Sequence, residues 1–260
     1  FAFWAVMTTF SVLSWYWLNS SSNTARKPIV KSEPTGRVIT VGYWRWKFSF
    51  HIGKDFWVRL VFLILGPSAV IGLSIAYAQI LPLRLVFVVY VLPAYLVMIG
   101  LGILYPEWGK RAAVGFTAGV PVKIVYDVVR LFLMVGLGLP DPIPHIGVLW
   151  TGSGTEWWVG YLWRFFGNGA GLGIAYAMMP KFMFNLKGGL VYGELVGKGM
   201  LAILFFFPAA QFHLFILNAT SFVNGVLGHW AYGLTVGWIF KRTRHKDNFP
   251  DHAVEQKSPW

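Results

Sequence analysis

Cysteine is missing from the 260 residues. That excludes disulfides, thiolate metal sites, iron–sulfur ligation and haem attachment through Cys-X-X-Cys-His. Charge is scarce too. Asp, Glu, Lys and Arg make up 12% of the chain, about half their share in an ordinary soluble domain. Familiar signatures of chemistry are also wanting: there is no Walker loop, Gly-x-Ser-x-Gly, Ser-x-x-Lys, or His pair with metal-ligand spacing. Gly197-Lys198-Gly199 is not a phosphate loop, because nothing before it supplies a strand and turn. The sequence therefore assigns no catalytic, cofactor-binding or metal-binding residue, and leaves the cofactor open.

Apolar surface, by contrast, is abundant. Hydrophobic residues form 56% of the chain, with 22 Phe, 14 Trp and 11 Tyr. Apolar runs of twenty or so residues recur, and about 20 residues of helix cross a hydrocarbon core. A β-barrel would instead show alternating segments of about ten residues. The expectation is an all-α fold, a polytopic transmembrane helical bundle. The formal charge of +12 sits in the stretches between spans, which points to topology and anionic lipid headgroups rather than nucleic acid.

Seven spans are predicted: Phe1–Leu18, Asp55–Ile80, Leu85–Tyr105, Ala112–Leu137, Trp157–Met179, Gly188–Pro208 and Phe222–Phe240. The first is read as a retained span, since it lacks a small-residue cleavage pattern and ends in the belt-like Trp15 and Trp17. Seven cations lie between spans one and two. Lys110 and Arg111 separate three and four, Lys181 and Lys187 separate five and six, and Lys241, Arg242, Arg244 and Lys246 follow seven. The alternate connections hold only Arg84 as a cation, with Asp141 and Glu156 in the fourth. That alternation predicts an N-out, C-in arrangement. The host is expected to be a prokaryotic cytoplasmic membrane or an organellar inner membrane.

Three regions follow: N-terminal spans over 1–111, a glycine-rich four-helix module over 112–240 and a basic tail over 241–260. The first contains a hydrophilic loop, 19–54. Within it Gly42–His51 alternates, with Trp44, Trp46, Phe48 and Phe50 on one side and Arg45, Lys47 and His51 on the other. Period two argues for an extended segment. Rings opposite cations suit a headgroup boundary or a partner subunit, so Trp44, Arg45, Trp46 and Lys47 are the expected partner surface. Pro67, Pro93 and Pro121 predict bends in spans two to four. Spans five to seven are expected to be straight and closely packed.

The C-terminal module contains a repeat. Gly189-Leu190-Val191-Tyr192-Gly193-Glu194-Leu195-Val196-Gly197 aligns with His229-Trp230-Ala231-Tyr232-Gly233-Leu234-Thr235-Val236-Gly237. Gly189, Gly193, Gly197, Gly233 and Gly237 recur every fourth position, which predicts close helix approach in lipid.

Ionisable groups at membrane depth are the best functional pointers available. Lys123, Asp127 and Arg130 share one face of span four at i,i+4 and i,i+3. Span five adds Arg164, span six the pair Glu194 and Lys198, and span seven His229. At about 1.5 Å per residue, two layers are expected. Asp127, Arg130 and Arg164 would meet toward the outside, and Glu194, Lys198 and His229 near the midplane. The plain role is mutual neutralisation. The functional alternative uses the surplus cation for an anionic ligand. The stiff loop from Leu139 to His145, with Asp141, is expected to cap the outer face.

The stretch from Ala118-Gly119 through Tyr126-Asp127-Val128-Val129-Arg130 to Gly138-Leu139-Pro140-Asp141-Pro142, with Gly228-His229-Trp230-Ala231-Tyr232-Gly233-x3-Gly237, resembles a pattern in uncharacterised prokaryotic multi-pass membrane proteins that end in a G-H-x-x-Y-G-x-x-x-G span. The resemblance covers residues 112–240. It implies a four-helix module with an N-terminal addition, and no activity. The expected function is a non-catalytic integral membrane subunit that scaffolds a larger complex, with membrane lipids and other membrane subunits as partners. The alternatives are a transporter or lipid- or anion-binding protein, and a membrane enzyme with Asp127, Glu194 or His229 as acid–base groups.

Overall fold

The computed structural model describes residues 37–43, 46–213 and 216–243, with side chains from 53 to 211 and from 216 to 243. Expectations for Phe1–Leu18, the linker through residue 36, Trp44, Arg45 and the tail beyond 243 lie outside the described residues. Two antiparallel strands come first, β1 (Arg37–Tyr43) and β2 (Trp46–Ile52), paired from Arg37 with Ile52 to Tyr43 with Trp46. The described part of the period-two run over Gly42–His51 is extended, with Gly42 and Tyr43 in β1 and 46–51 in β2. Trp46 and Lys47 lie on β2.

Helices follow. They are α1 (Lys54–Leu65), α2 (Ser68–Tyr77), α3 (Leu83–Leu104), α4 (Pro106–Leu137), α5 (Ile143–Thr151), α6 (158–177), α7 (Leu186–Phe206), α8 (Ala209–His213) and α9 (Ala219–Thr243). The fold is a helical bundle preceded by a hairpin. Among the described residues, three stretches are long and apolar enough to cross a membrane by length and composition: Lys54–Tyr77, Leu83–Leu104 and Leu186–Phe206.

Local chemistry sets the boundaries. Pro106 at the first turn of α4 costs no hydrogen bond there, so α4 begins one residue beyond α3. Lys110 and Arg111 are therefore helical rather than in a loop, and Arg111 is buried. Gly138 ends α4 in the left-handed conformation (φ 65°), as a residue without Cβ readily does. Asn185 caps α7 by accepting from the Gly188 N–H at 3.0 Å. The segment expected to be a stiff cap contains α5, which starts at Ile143 with Pro144 in its first turn.

The three prolines expected to bend spans two to four differ in whether the helix continues through them. Only Pro67 interrupts its helix, between α1 and α2. Pro93 follows a π-helical segment of α3, Phe87–Val91, whose wider turn accommodates the missing N–H. α4 runs through Pro121 unbroken. Meanwhile α6 carries its own π-helical segment, Trp163–Gly169.

Two apolar clusters fill the bundle. One gathers α1 to α3 around Phe62, Tyr95 and Met98, and the other packs Tyr126, Tyr176, Tyr192, Tyr232 and Phe240. α4 and α6 contribute to both, which makes them the centre of the molecule. Backbone meets backbone at their crossing: a Cβ on Gly173 would lie 2.7 Å from Gly119 Cα, closer than real Cβ atoms come. The same holds between α7 and α9. A Cβ on Gly189 would sit 2.7 Å from Gly237 Cα, and one on Gly193 3.0 Å from Gly233 Cα. Gly197 faces the His229 ring, 3.0 Å from where its Cβ would be.

Candidate functional site: a buried ion-pair cluster

Spacing on α4 puts Lys123, Tyr126, Asp127 and Arg130 toward the interior, all of them buried. The π-helical segment of α6 brings Arg164 to the same place, also buried. Arg164 Nε donates to both Asp127 oxygens at 2.7 Å, and its Nη2 is 2.6 Å from Oδ1. Arg130 Nε donates to Asp127 Oδ1 at 2.9 Å. Its Nη1 reaches Asp141 Oδ1, in the loop after α4, at 2.8 Å. Asp141 also accepts from the Tyr161 hydroxyl and from the Ile143 N–H at 3.1 Å.

The result is a chain of alternating charge, Arg164–Asp127–Arg130–Asp141, closed at the rim by Tyr161. Ions removed from water require such pairing, because each alone carries a large desolvation penalty. Burial of Asp141 works against its ionisation, but the hydrogen bonds from Tyr161 and Arg130 prevail and hold its carboxyl below the usual range. Both oxygens of Asp127 are likewise taken up by guanidiniums.

Deeper in, the surroundings turn aromatic. Lys123 Nζ lies 3.9 Å from the Tyr126 ring centroid and 5.5 Å from that of Tyr232, and Arg164 lies over Tyr126 at 4.8 Å. Among the described residues Lys123 makes no contact ion pair. His229 meets Tyr126 edge-on with centroids 5.1 Å apart, and its Nδ1 is 2.7 Å from the Gly225 carbonyl oxygen.

Asp127, Arg130 and Arg164 thus come together, whereas Glu194, Lys198 and His229 do not. His229 is interior. Lys198 was expected to be buried, yet its side chain is 72% exposed; it pairs with Glu194 at 3.3 Å on the outside of α7. Glu194 also accepts from the Trp230 indole. The reason is angular. Gly193 and Gly197 face α9, and one residue further on is a rotation of about 100° around the helix, which moves Glu194 and Lys198 to the flank of that contact, where Glu194 still reaches Trp230 of α9.

Other participants escaped the sequence reading. Tyr161 lies three residues before Arg164, one turn away on the same side. That spacing could have linked it to the cluster. Arg59 and Arg111 had no such signal. Both reach the C-terminal end of α6: Arg59 Nε donates to the Met178 carbonyl, while Arg111 donates to the carbonyls of Ala177 and, at 2.6 Å, Met179. Cations there satisfy carbonyls the helix leaves open and oppose its dipole. No protein-family model, no curated protein and no solved structure matches the chain.

Proposed function

We propose that the chain is a non-catalytic integral membrane subunit that scaffolds or stabilises a larger membrane protein complex. The carrying observation is how the interior polar groups are occupied. Asp127 is held by Arg130 and Arg164, and Asp141 by Arg130 and Tyr161, an arrangement that locks helices rather than frees a reactive group. The α7–α9 crossing, with Gly189 against Gly233 and Gly237 and Gly193 against Gly233, closes by backbone contact and leaves no passage between those helices there.

The same reading takes the chain as seven spans, N-terminus outside and C-terminus inside, in a prokaryotic cytoplasmic membrane. Cation placement supports it: Arg59 and Arg111 reach the C-terminal end of α6, Lys181 and Lys187 follow that end in the chain, and Lys54, Lys241 and Arg242 stand at helix ends, while Arg84 donates instead to the Trp150 carbonyl at the end of α5. The resemblance of residues 112–240 to uncharacterised prokaryotic multi-pass proteins belongs to this proposal. Partners are membrane lipids and other membrane subunits, with no nucleic acid.

The test is purification from native membranes in a gentle detergent, followed by mass analysis of co-migrating chains. A stoichiometric set of other subunits is expected, and a lone monomer contradicts the reading. One observation favours a second reading, an anion- or lipid-binding protein: Lys123 is buried with no contact ion pair among the described residues. Lys123→Met separates the two. A scaffold keeps its co-migrating chains, while an anion-binding protein loses its bound anion. The enzyme reading draws no support from the geometry, because Glu194 is taken up by Lys198 and the Trp230 indole, Asp127 by two guanidiniums, and His229 Nδ1 lies against the Gly225 carbonyl.

A further inference from the structure

The interior cluster does not balance in charge. Lys123, Arg130 and Arg164 are three cations against the two carboxylates of Asp127 and Asp141. Both carboxylates are taken up by the guanidiniums and by Tyr161, which leaves the Lys123 ammonium over. Lys123 is only 4% exposed, and an ion so enclosed needs a counter-charge or hydrogen bonds. Its described neighbours are two ring faces, those of Tyr126 and Tyr232, and neither carries a charge.

Polar groups with nothing to bind gather at the same level. α4 and α6 run antiparallel, with Gly115 against Gly173 and Gly119 against Gly169. One turn inward from Asp127 and Arg164 therefore sets Lys123 opposite Asn168. Gly169 fixes that register, since its Cβ would lie 2.7 Å from Lys123 Cβ. The Asn168 side-chain oxygen is buried without a hydrogen-bond partner, and so is the Tyr232 hydroxyl on α9. Three helices thus each bring an unsatisfied polar side chain, a condition that folded proteins rarely leave unanswered.

We propose that Lys123, Asn168 and Tyr232 hold a halide ion. The inference rests on the anion-binding reading of Lys123 and names its ligand. One positive charge is unbalanced, so the anion is monovalent. Both guanidiniums are engaged by carboxylates, which leaves no planar fork for a phosphate or carboxylate. The donors that remain are an ammonium, a phenol and an amide turned to present its NH2, and they suit a spherical ion. Space is small, because α4 and α6 meet by backbone one turn away, at Gly119 and Gly173. A halide there neutralises the cluster and ties α9 to α4 and α6, which suits a scaffold as well.

The test compares the purified protein in sodium chloride, sodium bromide and sodium gluconate at equal ionic strength. About one bromide per chain is expected, read by elemental mass spectrometry after free salt is removed. The thermal unfolding midpoint is expected to rise with chloride or bromide and to level off about 5 °C or more above its gluconate value. Lys123→Met is expected to retain no bromide and to unfold at one temperature in all three salts. Asn168→Asp supplies its own carboxylate beside Lys123 and is expected to behave in the same way, which keeps the test alive should Lys123→Met fail to fold. A parent without bound bromide, or variants that keep it, overturns the halide. An organic acid or phospholipid recovered with the parent and lost from Lys123→Met overturns the halide but leaves the anion-binding reading standing. No bound anion of any kind overturns both, while the scaffold is judged separately by its co-migrating chains.

Discussion

Asp127 is the residue on which the interior cluster turns, since it alone faces both Arg130 and Arg164. Asp127→Asn leaves two buried guanidiniums without their shared counter-charge and is expected to cost about 3–5 kcal/mol. The measurement is unfolding in detergent, where Asp127→Asn combined with Arg164→Gln is expected to lose less than the sum of the single losses. Asp141 offers a test in pH. Its carboxyl is depressed in the folded protein, so the stability it contributes is present at neutral pH and fades as pH falls through its folded value. Asp141→Asn is expected to be less stable than the parent near pH 7, with the difference vanishing in strong acid. A constant difference from pH 7 to pH 2 would contradict this role.

Among the elements, the α7–α9 pair carries the clearest steric demand. Gly189→Ala drives a methyl into backbone and is expected to cost about 1–3 kcal/mol. Gly100→Ala meets nothing within 4 Å and is expected to be neutral, or to gain up to about 1 kcal/mol from helix propensity. Equal effects at the two positions would show that the crossing is looser than described. The every-fourth glycine pattern was legible in the sequence because small residues at that interval leave few other uses for a helix face. The same pattern bears on Lys198, which about 100° of helix rotation separates from Gly197 and its contact with α9. The π-helical segments were not legible, because Trp-Arg-Phe-Phe-Gly-Asn-Gly has no spacing that distinguishes an i→i+5 turn from an α turn. Nor was the uninterrupted passage of α4 through Pro121, since the proline ring by itself argues for a break. Asp141 joins the cluster across a turn set by Gly138 and Pro140, a tertiary placement that local propensity does not encode. Arg111 is a further element-scale test. Arg111→Gln removes a cation from the end of α6 and is expected to lower stability by about 1–2 kcal/mol, read by the same unfolding measurement.

Across the described residues, the charges that enter the interior are held in ion pairs or against rings and carbonyls, and the helices close by backbone contact. Such an interior suits the proposed scaffold; a conduit or reaction chamber needs water at its centre. Because the chain has no cysteine, single thiols can report water directly. Val236, fully buried on α9 beside Gly237, and Val122, fully buried on α4, sit where an internal path would run. Lys241, exposed at the end of α9, serves as the accessible control. The decisive measurement is labelling of Val236→Cys and Val122→Cys by a water-soluble maleimide in intact and in denatured protein. The expected result is rapid labelling at Lys241→Cys and none at the two interior positions until the protein is unfolded. Labelling of Val236→Cys or Val122→Cys in the folded protein, at a rate approaching that of Lys241→Cys, would mean a wet interior and would contradict the scaffold function.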